Sequence, residues 1–243
     1  EIEPYFSVRP GWAEQHPEYF WKILTQTSQK LFADKSIKKE SIKAVSLTTQ
    51  RNTMINLDKD GKPLRPAIIW LDRRKAKAGN WPPLYLKLLL KAINMYDTAI
   101  YTIMECEANW IAQNQPEIWD KTYKFLFLSG YFTYKLTGEF TDSTGNQVGY
   151  VPFDFKKQAW AKDGDIKWKM FPAITKDRLA TLVRPSELLG TVSKKAAKET
   201  GIPEGLPVIA AAADKACEVL GSGCLTPDVA CLSFGTTATI ETT

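Results

Sequence analysis

Between Val208 and Gly223 the chain reads VIAAAADKACEVLGSG. An apolar run of small residues ends in an aspartate, a short helix-patterned stretch follows, and Gly-Ser-Gly closes it. A run this short predicts a buried strand, and the period after it predicts a helix. A strand that feeds straight into a helix is the building unit of α/β proteins. The rest of the chain keeps that alternation. PEYFWKILTQTSQKLF predicts an amphipathic helix, with Phe20, Ile23, Leu24, Thr27 and Leu31 at helical spacing and Pro17 in the tolerant first turn. KAVSLTTQ switches to period two. TMINLDKDGKPL predicts a strand entering an Asp-Gly turn, and PAIIWLD a short buried strand. From Pro82 to about Leu136 the pattern is mainly helical, although YKFLFLSGYFTYKLTGE fits helix or strand, and Gly130 weighs against helix. SELLGTVSKKAAKETGI predicts a strand edge and a short helix, and DVACLSFGTTATIETT one or two strands around a tight turn. The fold class is therefore α/β.

Composition excludes several functions. The 243 residues are 44% hydrophobic and 24% charged, as expected of a globular protein. The most apolar run, Leu84 to Ile93, is broken by Lys87 and Lys91, so no membrane span is expected. The net charge of +5 is scattered among acids, without the basic stripe and stacked aromatics of a nucleic-acid groove. It would still favour an anionic ligand such as a nucleotide phosphate. Cysteines 106, 217, 224 and 231 include no Cys-x-x-Cys and predict free thiols in a reducing, cytoplasmic compartment. The single histidine, His16, precedes Pro17 and suits an exposed helix start. A multi-histidine metal site is thereby impossible, and no metal ligands are assigned. Proton transfer falls to Asp, Glu, Lys, Tyr or Cys.

Two segments carry the chemistry. Ligands of α/β sheets bind outside the carboxyl ends of strands, and Asp214 stands at such an end. It can cap the following helix or take the proton of a hydroxyl attacking phosphorus. In SFGTTAT, Gly235, Thr236 and Thr237 can form a hairpin turn or a cradle for phosphate oxygens. No Walker-type loop is present.

The stretches PGWAEQHPEYFW, SLTTQRNTMINLDKDGKPLRPAIIWLDRR, NQPEIW, KLTGEFTDSTGNQVGYVPFD, LPVIAAAADKACEVLGSG and CLSFGTTATI together resemble the FGGY family of carbohydrate kinases. The resemblance implies an actin-like ATPase (ribonuclease H-like) fold, ATP and Mg²⁺ as cofactors, and phosphorylation of a sugar or polyol hydroxyl. It makes Asp214 the general base and sets Gly235, Thr236 and Thr237 on the ATP phosphates. It places Arg51, Asn52, Trp70, Asp72 and Thr102 around the substrate. Arg51 offers a planar fork of donors, and Trp70 an apolar wall. Taken alone, the first reads as a surface arginine and the second as core.

This chain departs from the family where glycerol kinases carry Glu (here Asn52) and Tyr (here Thr102). Xylulokinases carry Met-His where this chain has Arg51-Asn52, so the resemblance selects no particular sugar. Family members are about twice this long. The resemblance therefore assigns 1–225 to the sugar-binding N-terminal domain without its first strands, and 226–243 to the start of the C-terminal nucleotide-binding domain. It implies that the 243 residues alone have no appreciable turnover, and it leaves a homodimer open. A second reading keeps the fold but makes the protein a nucleotide-dependent switch of the actin or chaperone type. Convergence of Arg51, Trp70 and Asp72 on Asp214 would favour the kinase.

Overall fold

A computed structural model describes residues 5–147, 149–234 and 238–242. The strands are β1 Glu14–Gln15, β2 Val45–Ser46, β3 Met54–Leu57, β4 Ala67–Ile68, β5 Lys124–Phe127, β6 Thr141–Ser143, β7 Phe153–Asp154, β8 Ala159–Trp160, β9 Thr181–Val183, β10 Leu188–Thr191, β11 Pro207–Ile209, β12 Ala230–Phe234 and β13 Ala238–Thr242. The helices are α1 Pro17–Phe32, α2 Leu84–Ala92, α3 Tyr96–Glu105, α4 Glu107–Asn114, α5 Pro116–Lys121, α6 Leu128–Thr137, α7 Ile166–Met170, α8 Lys194–Thr200 and α9 Asp214–Gly221.

The central sheet has the order β1-β4-β3-β5 and is antiparallel throughout. Strands β3, β4 and β5 are largely apolar on both faces because both faces are covered. Successive side chains alternate between two cores, as the pleat requires. Ile55, Leu57, Ala67 and Leu126 join one core with Trp21, Tyr131 and Val208. Met54, Ile68, Phe125 and Phe127 join the other with Trp110, Trp119 and Phe153. The ambiguous aromatic segment resolves as both alternatives in turn. Strand β5 runs into α6, whose Gly130 lies against the Asp142 side chain.

Helix α1 starts at the exposed His16 with Pro17 in its first turn. Its buried side runs through Phe20, Trp21, Leu24 and Phe32, whereas Leu31 is exposed. The tilt follows Trp21, whose indole donates to Glu199 of α8 at 2.6 Å. All four cysteines are free, and Cys106, Cys224 and Cys231 are buried. Among the described residues no helix is long and apolar enough to cross a membrane.

A second sheet, β10-β11-β2, positions the site. Strands β11 and β2 are parallel, Val208 opposite Val45 and Ile209 opposite Ser46. Their carboxyl ends therefore point the same way, and the segments that leave them, Ala210–Asp214 and Leu47–Asn52, emerge side by side. The predicted strand through the four alanines is shorter than expected. Beyond Ile209 the Ser186 N–H donates to the carbonyl of Ala210 and the Ala210 N–H to that of Glu187, and helix α9 begins at Asp214 itself.

Candidate active site

Hydroxyls and backbone groups stitch the two exits together. Ser46 Oγ donates to the carbonyl of Ile209 at 3.0 Å, and Thr48 Oγ1 to that of Ala212 at 2.9 Å. The backbone N–H of Asp214 then donates to the carbonyl of Thr49 at 3.1 Å. The result sets Arg51 beside Asp214, with Nε 3.9 Å from Oδ1. Both side chains are open to solvent, 40% and 49% exposed. An ion pair this long and this wet adds little to stability. Its charges are instead free to meet a ligand.

Asp214 occupies the first turn of α9 and accepts from the N–H of Lys215 at 2.8 Å through Oδ1. It thus does part of a capping job through Oδ1 while about half of its side chain stays exposed. Lys215 in turn donates to Glu218 and to Ser233, tying α9 to β12. Between α9 and β13 lies a broad open cleft of about 480 Å³, with Arg51, Lys215, Leu220 and Glu241 on its walls.

A third segment holds the junction from behind. The N–H of Ala213 donates to the carbonyl of Gly145 at 3.1 Å. A Cβ added to Gly145 would lie 2.8 Å from the Ala212 Cβ and 3.2 Å from the Ala211 carbonyl. The run of alanines and the glycine of DSTGN are thus matched surfaces, each small because the other is near.

Asn52 follows Arg51 with φ +52°, in the left-handed region that asparagine tolerates better than most residues. Gly149 packs on its amide so closely that a Cβ there would fall 2.6 Å from Oδ1. Asn52 and Asp72 border one small polar notch. Asp72, only 3% exposed at its side chain, is committed within the protein. It accepts from the N–H groups of Ala13 and Arg74 and from the Arg74 guanidinium. Arg74 also pairs with Glu14 at 2.9 Å and lies between two indoles, 3.9 Å from the Trp12 ring centre and 4.7 Å from that of Trp110. Trp70 stands at the tip of the turn closed by the bond from Asp72 N–H to the Ile69 carbonyl, and it is 43% exposed rather than core. Thr102 lies on α3 with its hydroxyl spent on the carbonyl of Thr98.

The geometry thus unites Arg51 with Asp214 and sets Asn52 next to Asp72. It gives Asp72 an internal partner, leaves Trp70 exposed, and keeps Thr102 on a separate helix. Gly235, Thr236 and Thr237 lie outside the described residues. The sequence reading passed over Thr48, Thr49, Gly145 and Lys215. The complementary small residues of AAAA and STGN were the available signal for Gly145; the threonines gave none, since their role depends on strand pairing.

The model of the FGGY family of carbohydrate kinases, N-terminal domain, matches residues 3–221. The chain belongs to this family. Among similar curated proteins, the Escherichia coli (strain K12) sugar kinase YgcE is 28% identical over 97% of this chain and 40% of its own length. The xylulose kinase of Lactococcus lactis is 26% identical over 96% of this chain and 46% of its own. Of solved structures, the xylulose kinase of Rhodospirillum rubrum superposes with a TM-score of 0.78 at 23% identity, over 97% of this chain and 48% of that one. Plasmodium falciparum glycerol kinase with ADP gives 0.70 at 20% identity, over 97% and 47%. The fold is therefore that of the FGGY kinases, an actin-like ATPase fold. The chain spans less than half the length of these relatives.

Proposed function

We propose that the complete protein is an ATP-dependent carbohydrate kinase and that this domain holds the sugar or polyol. The observation that carries the reading is the exposed Asp214 carboxylate, set at the carboxyl end of a parallel strand pair beside the Arg51 guanidinium. In this reading the substrate hydroxyl oxygen bonds to the γ-phosphorus of ATP. The bond from that phosphorus to the β–γ bridging oxygen breaks, and ADP leaves with the electron pair. The hydroxyl proton passes to Asp214. Little covalent help is needed, because phosphoryl transfer depends mainly on alignment and charge.

Arg51 donates to neighbouring hydroxyls, Asn52 offers an amide, and the Trp70 indole covers the carbon skeleton. Asp72 acts through Arg74 as a positioning residue rather than touching substrate. Thr102, already bonded to Thr98, takes no part. The nucleotide phosphates meet residues 235–237, which join the paired Phe234 and Ala238. The hairpin β12–β13 forms a sheet of its own, which supports taking it as the start of a nucleotide-binding domain. Among the described residues no three His, Cys, Asp or Glu side chains gather to hold a metal. In this reading Mg²⁺ enters with the nucleotide phosphates and would help neutralise their charge.

The test is a kinase assay of the complete gene product with ATP, Mg²⁺ and a panel of pentuloses and polyols, alongside melting temperatures with each free sugar. ADP release with one sugar class, and a higher melting temperature with the same class, is the expected result. Absence of both across the panel overturns the reading. The 243 residues by themselves are expected to show no appreciable turnover.

A further inference from the structure

The loop behind the Asp214 junction is gathered by one buried acid. Asp142 lies in the middle of β6 and is 1% exposed. Four donors surround it. Ser143 N–H and Asn146 Nδ2 donate to Oδ1 at 2.8 and 3.0 Å, and Ser129 Oγ and Gln147 Nε2 to Oδ2, both at 2.9 Å. Three of these donors belong to the next five residues, so the carboxylate ties segment 143–147 into a knot. Two further bonds tighten it: Gln147 Nε2 donates to the Ser143 carbonyl at 3.0 Å, and Gly145 N–H to Ser143 Oγ at 3.1 Å. The fourth donor, Ser129, pins the knot to α6, whose Gly130 abuts the same carboxylate: a Cβ there would lie 3.3 Å from Oδ2.

An ionised carboxylate accepts at both oxygens, whereas an amide in its place would accept at one. Only the acid can therefore take all four bonds at once. The knot reaches the site through Gly145. Its carbonyl accepts the N–H of Ala213, and its missing side chain lets Ala211 and Ala212 close in. Ala213 immediately precedes Asp214. The backbone that delivers Asp214 is thus held on two sides: the Thr49 carbonyl takes the N–H of Asp214, and the knot takes that of Ala213. The route from Asp142 to Asp214 is one carboxylate, one loop and one backbone bond.

We propose that Asp142 is a positioning residue for phosphoryl transfer: through the loop 143–147 it fixes the segment that presents the Asp214 carboxylate to the substrate hydroxyl. This rests on the kinase reading above. Asp142 touches neither substrate nor nucleotide in this role. Its effect arises because the reaction depends on alignment, and a displacement of about 1 Å can cost roughly 100-fold in rate.

The experiment uses the complete protein and the sugar that it phosphorylates best. Asp142→Ala should lower kcat roughly 100-fold while KM and calorimetric sugar binding change little. Asp142→Asn, which keeps an oxygen for Ser143 and Asn146, should recover part of the loss. Asn146→Ala cuts one arm of the knot and leaves the acid in place; it should give a smaller loss of the same kind, and it takes over the test if Asp142→Ala does not fold. Ile111→Ala, a core cavity on α4, controls for stability and should keep wild-type kcat at temperatures where it is folded. The deciding readout is a double mutant. In an Asp214→Asn background the loop variant should cost nothing further in kcat, because no base is left to position. An equal loss in both backgrounds, a similar loss in Ile111→Ala, or wild-type kcat in the loop variant would overturn the proposal while leaving the kinase reading intact. A complete protein that phosphorylates no sugar overturns both.

Discussion

Gly145 and Ala212 meet so closely that the glycine has no room for a side chain: a Cβ there would lie 2.8 Å from the alanine's. The contact braces the segment that delivers Asp214, since Ala213 also bonds to the Gly145 carbonyl. Gly145→Ala must push the two backbones apart, an overpacking cost of about 1–3 kcal/mol. We expect the melting temperature to fall by several degrees and kcat of the complete protein to fall more than KM rises. A melt and a kinetic profile check this; an unchanged kcat would mean that the brace does not set the carboxylate.

Asp214→Asn keeps the backbone bond to Thr49 and the start of α9. Stability should therefore stay within about 0.5 kcal/mol, as for other exposed substitutions. In the complete protein kcat should drop by orders of magnitude while sugar affinity changes modestly. Single-turnover kinetics paired with calorimetric sugar binding separate the two. Wild-type turnover in the variant would remove Asp214 from the mechanism.

Arg74→Lys is not a conservative change. Lysine cannot span the paired contacts to Asp72 and Glu14 or present a planar cation to the Trp12 and Trp110 rings. Asp72 would lose its forked partner and Glu14 one of its two guanidiniums, costing about 3 kcal/mol. A melting temperature lowered by roughly 10 °C is expected. A shift under 2 °C would show that the cluster rearranges freely.

Asp142 is buried, and four donors point at it: Ser129 and Gln147 at Oδ2, Asn146 and the Ser143 N–H at Oδ1. Burial outweighs these bonds and pushes the acid from 3.8 up to about 6. The folded protein then holds the proton more tightly than the unfolded chain does. This contribution is complete below about pH 3.8 and is lost as the pH rises through about 6. Asp142→Asn cannot titrate. The stability of wild type minus variant, from denaturant melts, should therefore shrink by roughly 2 kcal/mol between pH 4 and pH 7. A constant difference would place the acid near its ordinary value in the fold.

Much of the architecture was legible locally. The pleat alternation of Met54–Leu57, the helix start at Pro17, and the passage from strand to helix at Asp214 follow from side-chain period and backbone chemistry alone. The site was less so. Arg51 and Asp214 are separated by more than 160 positions and meet only because β2 and β11 run parallel. Asp72 was expected at the substrate, and its partner Arg74 two residues later was in plain view. What the sequence did not show was that Arg74 sinks against Trp12 and Trp110 and takes Asp72 as its partner.

Sequence alone determined the α/β class, the family, and which residue types could move a proton in a chain with one histidine. Tertiary structure decided which of those residues face solvent, which face each other and which are spent on internal partners. The division is physical. Period, turn chemistry and capping act over a few residues and are written in their order. Burial and pairing depend on where distant segments pack, and that placement fixes the charge and hydrogen bonding left for a ligand.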